Sequence, residues 1–388
     1  MATDFLIVGG GIGGLVLAEL LGRGGKRVVV LERSTAPPPW SRPEILWPAT
    51  FELLCTLLPR EQWEQRAVLP LEGMRIYDGR QWQWAISPDT LATAGVQPWS
   101  TNPNQTREEL MTLRSFELCR GIEVQEVLKE QGRIVGVRGR NSMTGTQQEW
   151  LAEWTVGDDG ANSLVRSACG IELKTQIFPI DLFCFQAAWP AELRPRAGHV
   201  WPNVHESPPS VLATGLLPVP GGQGVGLVPA RTHADPGHRQ AAFRKLVESE
   251  KSLLAVLGSR RFPEDFQLVR RPWGHAPHYG CPGALLIGDA AHPVSPAGGQ
   301  GANMSVADGR AVAELALAGE RNLVAAYERR RRAANRRSLR FTRAAVFAFG
   351  LPEALLFNRL TGWLVSQVSS RPPIAARFIR TVATAFLE

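Results

Sequence analysis

The hydrophobic pattern opens with a short continuous apolar run at residues 5–8, FLIV, which breaks into Gly9, Gly10, Gly11, Ile12, Gly13 and Gly14. Leu15, Leu17, Ala18, Leu20 and Leu21 follow at helical spacing, and a second apolar run at 28–31 stops at Glu32. Short apolar runs bounded by turn residues suit buried strands, so these positions predict a βαβ unit. From 73 to 101 the pattern becomes short and alternating, as in MRIYDGRQWQWAI, which predicts a hairpin in another sheet. Residues 107–119 carry a helical pattern, whereas 133–138 and 149–156 read as strands joined by a turn at Thr144 and Gly145. Between 178 and 229, prolines and alternating apolar positions predict a mostly antiparallel sheet with long loops. Residues 239–257 read as helix. ALLIGD then predicts a strand that runs into Asp289, followed by a proline and glycine turn and a helix over 302–317. A largely helical tail, broken at Pro352 and Pro372, completes the chain.

These elements predict an α/β fold in which a Rossmann-like domain is interleaved with a mostly antiparallel sheet domain. The first would comprise 1–72, 102–176 and 271–330, the second 73–101 and 177–270, with a C-terminal helical region at 331–388. Composition adds bounds rather than chemistry. With 388 residues, 44% hydrophobic and 20% charged, the chain is ordinary globular material. Its net charge of +7 admits nucleic acid or a membrane surface as partner. The arginines after Glu328 have no interleaved aromatics for base stacking, however, so no nucleic acid is expected. The cysteines Cys55, Cys119, Cys169, Cys184 and Cys281 form no CxxC, and the pair His275 and His278 lacks a third ligand, so no metal is expected. Neither a signal peptide nor an apolar span of membrane length is read, which points to the cytoplasm.

The glycine run has a specific physical logic. Gly9 makes the tight turn, Gly11 lets a pyrophosphate approach the backbone, and Gly14 lets helix meet strand. The helix start offers N–H groups to phosphates, and Glu32 would take ribose hydroxyls. Two later segments need the same explanation. GDDGANSLVR carries Gly157, Asp159, Gly160, Ser163, Val165 and Arg166, and GDAAHPVSPAGGQGAN carries Gly288, Asp289, Ala290, Ala291, His292, Pro296, Gly299, Gly301 and Asn303.

Together the three segments resemble the class A flavoprotein monooxygenases, the para-hydroxybenzoate hydroxylase-like family. Asp158 stands where that family usually has alanine, which puts a second carboxylate beside the phosphates. The resemblance implies FAD held by Gly9, Gly11, Ile12, Gly13, Gly14, Glu32, Arg33, Arg42, Arg107, Val124, Asp159, Gly160, Gly288, Asp289, Pro296, Gly299, Gly301, Ala302 and Asn303. Asp289 would bind the ribityl chain. Pro296, Gly299, Gly301 and Asn303 would support the flavin ring, whose reduced form the N–H groups at that helix start can stabilise. NADPH or NADH would be the reductant, with Arg166 assisting. Dioxygen would add at flavin C4a, and the hydroperoxide would pass an oxygen atom to a small, largely apolar aromatic of phenol, quinoline or polyketide type, or to its amine. Phe183, Phe185, Trp201, Asn203 and Leu217 are the substrate candidates, with Gln186 and His199 as further polar ones; no residue identifies itself as the catalytic base. Two other readings remain open, a flavin-dependent reductase of the geranylgeranyl type and a non-catalytic flavin-binding partner. The tail, which bears Phe347, Phe349 and Trp363, could pack on the FAD domain or touch a membrane peripherally. The protein is expected to be a monomer or homodimer.

Overall fold

The computed structural model describes residues 3–77, 79–176, 180–206, 209–270, 273–350 and 371–388. Its central layer is a parallel run of five strands in the order Ala284–Leu286, Gln147–Gly157, Thr3–Val8, Val28–Glu32, Glu117–Arg120, extended at one end by antiparallel Gly280–Cys281. Thr3–Val8, Val28–Glu32 and Ala284–Leu286 read as nearly continuous apolar runs because both of their faces are buried, among the core residues Leu15, Leu17 and Leu21 of a helix and Ile122, Ile134 and Val137 of antiparallel strands. Val8 lies opposite Gly157, and Gly157 opposite Leu286. Three central strands therefore end at the same level, and the loops that follow them converge at one edge.

Two helices start at that edge, Ile12–Arg23 and Gln300–Leu317. They pack so closely that a Cβ on Gly13 would collide with Ser305, and one on Gly309 with the Gly13 carbonyl. Glycine at both positions is what lets the start of the first helix press against the second helix at Ser305 and Gly309.

The second sheet runs Gln267–Val269, Ile180–Ala188, Gln223–Arg231, Ala213–Val219, Ala197–Pro202, Gly73–Tyr77, Trp82–Ile86. The MRIYDGRQWQWAI hairpin is present as its last two strands. One face packs on helices Pro236–Glu248 and Lys251–Leu257, through Phe183, Phe185, Trp201, Leu216 and Val228 against Phe243, Leu246 and Leu253. The other carries Leu217, Val219 and Val225, packed with Leu71, Met74 and Ile45.

Local corrections have local causes. Residues 107–119 are not one helix: Pro103–Leu110 is helical, begun by proline at its first turn and by Asn102, whose side chain accepts from the Asn104 N–H at 3.0 Å. Glu117–Arg120 is instead the strand beside Val28–Glu32. The helix predicted over 239–257 is interrupted at Ser249, and the Glu250 carboxylate caps the next helix by accepting from the Leu253 N–H at 3.0 Å. The Gln300 helix begins two residues earlier than expected.

The C-terminal helix Pro372–Thr384 packs Ala376 and Ile379 on Leu91 and Ala94. Val382 and Phe386 join Trp47, Val294 and Met304 beside the Gln300 helix. The tail residues 351–370, Trp363 among them, lie outside the described residues, as do the side chains of Phe347 and Phe349. Among the described residues no helix is long and apolar enough to cross a membrane.

A buried charged network ties this tail inward. Arg331 donates to Asp308 at 2.9 Å, to the Phe386 carbonyl at 2.8 Å and to Asn335 at 3.0 Å. Asp308 also pairs with His292 and accepts from the Gly288 N–H at 3.2 Å. Burial alone would raise the Asp308 pKa, but His292 and Arg331 together hold it well below the usual carboxylate range. Replacing Arg331 by alanine strands a buried carboxylate without its guanidinium partner. Urea unfolding of Arg331→Ala is expected to show a loss of about 3–5 kcal/mol.

Candidate active site

The convergent loops build a cleft whose lining is mostly backbone. Gly9 has φ of 99°, and a Cβ there would strike the Asp158 carbonyl, so the turn needs glycine twice over. Gly11 is the N-cap of the first helix. Glu32 is buried; its Oε2 accepts from the Gly10 N–H at 2.8 Å and from Arg107 at 3.0 Å, and its Oε1 from the Ser34 N–H at 2.8 Å. Burial would raise its pKa, but those donors keep it ionised below the ordinary value. Arg107 also donates to the Gly10 carbonyl, which fixes the glycine turn against the acidic strand end.

Arg42 pairs with Glu44 at 2.8 Å and lies within electrostatic reach of Asp289 and Cys184. Burial opposes its charge, and Glu44 and Asp289 outweigh that penalty. Arg33 is exposed. Val124 is half-buried on the strand Ile122–Glu130, against the main core.

In the GDDG loop, Asp159 Oδ2 accepts from the Leu164 N–H at 2.7 Å and the Val165 N–H at 3.2 Å, while its buried Oδ1 has no partner. Burial raises its pKa. A Cβ on Gly160 would meet nothing within 4 Å, so the loop sets an acceptor beside open backbone. Arg166 is buried, and it donates to the Ala290 carbonyl at 2.9 Å and the Ala161 carbonyl at 2.7 Å. It therefore braces the GDDG loop against the Asp289 turn.

At the second helix start, Gly298 and Gly299 have φ of 77° and 61°. They turn the chain from Pro296 into Gln300, and the N–H groups of Gly301 and Ala302 fall in the first helical turn. Asn303 does more than the sequence suggested. Its Nδ2 donates to the Ile45 carbonyl at 2.9 Å and the Gly299 carbonyl at 2.6 Å, and its Oδ1 accepts from the Trp47 N–H at 2.9 Å. It thereby fastens the turn to the Glu44–Leu46 strand.

The substrate candidates do not gather. Phe183, Phe185 and Trp201 belong to the helix-covered core, and Asn203 closes its own loop by donating to the Val211 carbonyl at 2.9 Å. His199 is buried on the same side, its ring 4.8 Å from that of Trp82, and both ring nitrogens lack partners. Burial, then Arg75, pushes its pKa down to about 4. Leu217 is on the other face, joined through Ile45 to the Gly298–Gly299 turn: a Cβ on Gly299 would come within 3.0 Å of the Ile45 Cβ. Met74 and Ile45 were missed; their signal is only the alternation of apolar residues in their strands.

A strand, glycine turn and helix start with an acid at the next strand end, met by two further loops, make a cradle for a dinucleotide. A model of the FAD binding domain matches residues 2–342. The chain belongs to the class A FAD-dependent monooxygenases. It is 30% identical to 6-methylpretetramide 4-monooxygenase of Streptomyces rimosus, over 79% of this chain and 73% of that one. It is 27% identical to rifampicin monooxygenase of Streptomyces venezuelae, over 79% of this chain and 62% of that one. The p-nitrophenol 4-monooxygenase PnpA of Pseudomonas putida shares the fold, with a TM-score of 0.79 at 19% identity across 99% of this monooxygenase and 98% of PnpA. FAD fits the residues present, with an unpaired buried acceptor at Asp159, open backbone at Gly160 and two helices that begin after the glycine turns.

The Asn303 bridge gives a direct test of the turn. Asn303→Ala unpairs the Trp47 N–H and the Ile45 carbonyl, and is expected to cost about 1–3 kcal/mol in urea unfolding. The same variant should retain less FAD per mole of protein after gel filtration.

Proposed function

We propose that this monooxygenase uses NADPH or NADH and dioxygen to hydroxylate a largely apolar, ring-bearing aromatic substrate seated between the second sheet and the Pro296–Ala302 turn. One observation carries the placement: Leu217, Val219, Val225, Leu71 and Met74 form an apolar wall that reaches that turn through Ile45. The relatives named for 6-methylpretetramide and rifampicin support an organic ring substrate of that kind. Bound FAD supplies the redox chemistry and the activation of dioxygen.

The chain's own residues do the rest. Gly9, Gly11, Gly13 and Gly14 keep the first helix start open to the dinucleotide, Glu32 and Arg107 shape its adenosine end, and Asp159 and Asp289 face its sugar-alcohol portion. The N–H groups of Gly301 and Ala302 lie where negative charge on a reduced ring would be stabilised. Leu217 and Met74 exclude water from the reacting face and hold an aromatic ring by apolar contact. Phe183, Phe185 and Trp201 act at a distance, by keeping the sheet rigid on its helix-covered side.

A panel of phenols, quinolines and fused-ring phenols should contain compounds that accelerate bleaching of the bound flavin by NADPH. Leu217→Trp narrows the wall and is expected to raise KM for such a compound about tenfold or more with FAD content unchanged. A KM left intact in Leu217→Trp would place the substrate elsewhere.

A further inference from the structure

Asp158 adds a further carboxyl group to a dinucleotide cradle that already holds Glu32, Asp159 and Asp289. Its Oδ2 accepts from the Gly14 N–H at 2.8 Å, so the carboxyl group caps the first turn of the Ile12–Arg23 helix from outside. A Cβ on Gly11 or Gly14 would collide with that carboxyl group, and a Cβ on Gly288 would come within 3.3 Å of its Oδ1. The group thus fills the gap between the glycine turn and the Asp289 turn, where the helix start and the close backbone approach would receive a diphosphate. Asp158 follows Gly157 at the end of a central strand, and its own N–H is held by the Val8 carbonyl at 2.9 Å, so the backbone cannot carry it away.

The surroundings make that charge costly. Burial favours the neutral form first; Asp159 and Asp289 add repulsion. The Gly14 N–H and Arg107 oppose these effects but do not overcome them, and the pKa stands well above the usual carboxylate range. Arg107 is already engaged by Glu32 and the Gly10 carbonyl. A diphosphate brings further negative charge to the same gap.

We propose that Asp158 makes FAD binding proton-linked: the carboxyl group caps the first helix in the free protein, and FAD is bound together with a proton on that group. The inference rests on the FAD-dependent reading above. The sign follows from mutual repulsion. The bound state holds the proton more tightly than the free state, so binding takes up a proton and weakens as pH rises above the midpoint of the free carboxyl group. Below that midpoint the affinity is level. Such a protein would hold FAD reversibly, with occupancy set by pH as well as by concentration.

The test is titration of apoprotein with FAD, followed by quenching of flavin fluorescence, from about pH 5.5 to about pH 9, on the alkaline side of ordinary carboxylates. The Kd of the wild type should rise with pH by up to about tenfold per unit. Calorimetry in two buffers of different ionisation heat should show net proton uptake that approaches one per FAD. Asp158→Asn, nearly the same shape without the titration, should bind with a Kd that rises much less steeply with pH and with proton uptake reduced by the share this group carries. A level Kd in the wild type, or an unchanged slope in Asp158→Asn, overturns the proposal. Wild-type calorimetry decides the matter even if the Asn variant fails to fold. If no variant binds FAD at any pH, the cofactor reading falls and takes this proposal with it; if FAD binds with a level Kd, only the proposal falls.

Discussion

Everything in the cleft depends on the register of three parallel strands. Because Val8, Gly157 and Leu286 stand side by side, the chain must turn three times at one edge, and each turn has to share space with the other two. Side chains are excluded there by geometry, which is why the loops are glycine-rich and why polar work falls to backbone N–H groups. Gly9 cannot carry a Cβ because of Asp158, nor Gly13 because of Ser305. The constraint acts between loops far apart in sequence, and it converts a packing requirement into a surface of exposed peptide groups suited to an anionic ligand.

Beneath that surface, Asp308 organises the other half of the site. It holds the Gly288 N–H, His292 and Arg331 at once, so the Asp289 turn, the Gln300 helix and the following helix share a single buried carboxylate. Charges buried in this way are tolerated only when every partner is present. The arrangement favours one geometry of the turn over neighbouring ones, and it ties the turn to parts of the chain that touch no part of the cleft.

Much of this was legible in the sequence. The βαβ unit, the two later glycine and aspartate segments and the hairpin from Gly73 each combine a periodic run with a specific turn, and such combinations have few structural solutions. Glu117–Arg120 was not legible, because ELCR is only half-buried at the sheet's edge and lacks a clear period of two. The break before Glu250 was marked by nothing stronger than a capping residue. The face of the second sheet could not be chosen from sequence for a physical reason. Both faces are covered, so Phe183 and Leu217 look equally apolar, and only the coordinates show that one meets helices and the other meets Ile45. Asp158 was visible as a departure from the family pattern, but the gap it fills is formed by Gly11, Gly14 and Gly288 together and exists only after folding.

The hydrogen bonds from Gln300 to the Val382 carbonyl, at 2.9 Å, and from Arg331 to the Phe386 carbonyl give order of assembly a physical meaning. The glycine turn after Val8 is synthesised long before the residues that brace the Gln300 helix. The first βαβ unit is built from residues 3–32, whereas the Gln300 helix gains these two braces only from the C-terminal segment. The Gln300 helix is thereby secured by residues more than eighty positions further along the chain.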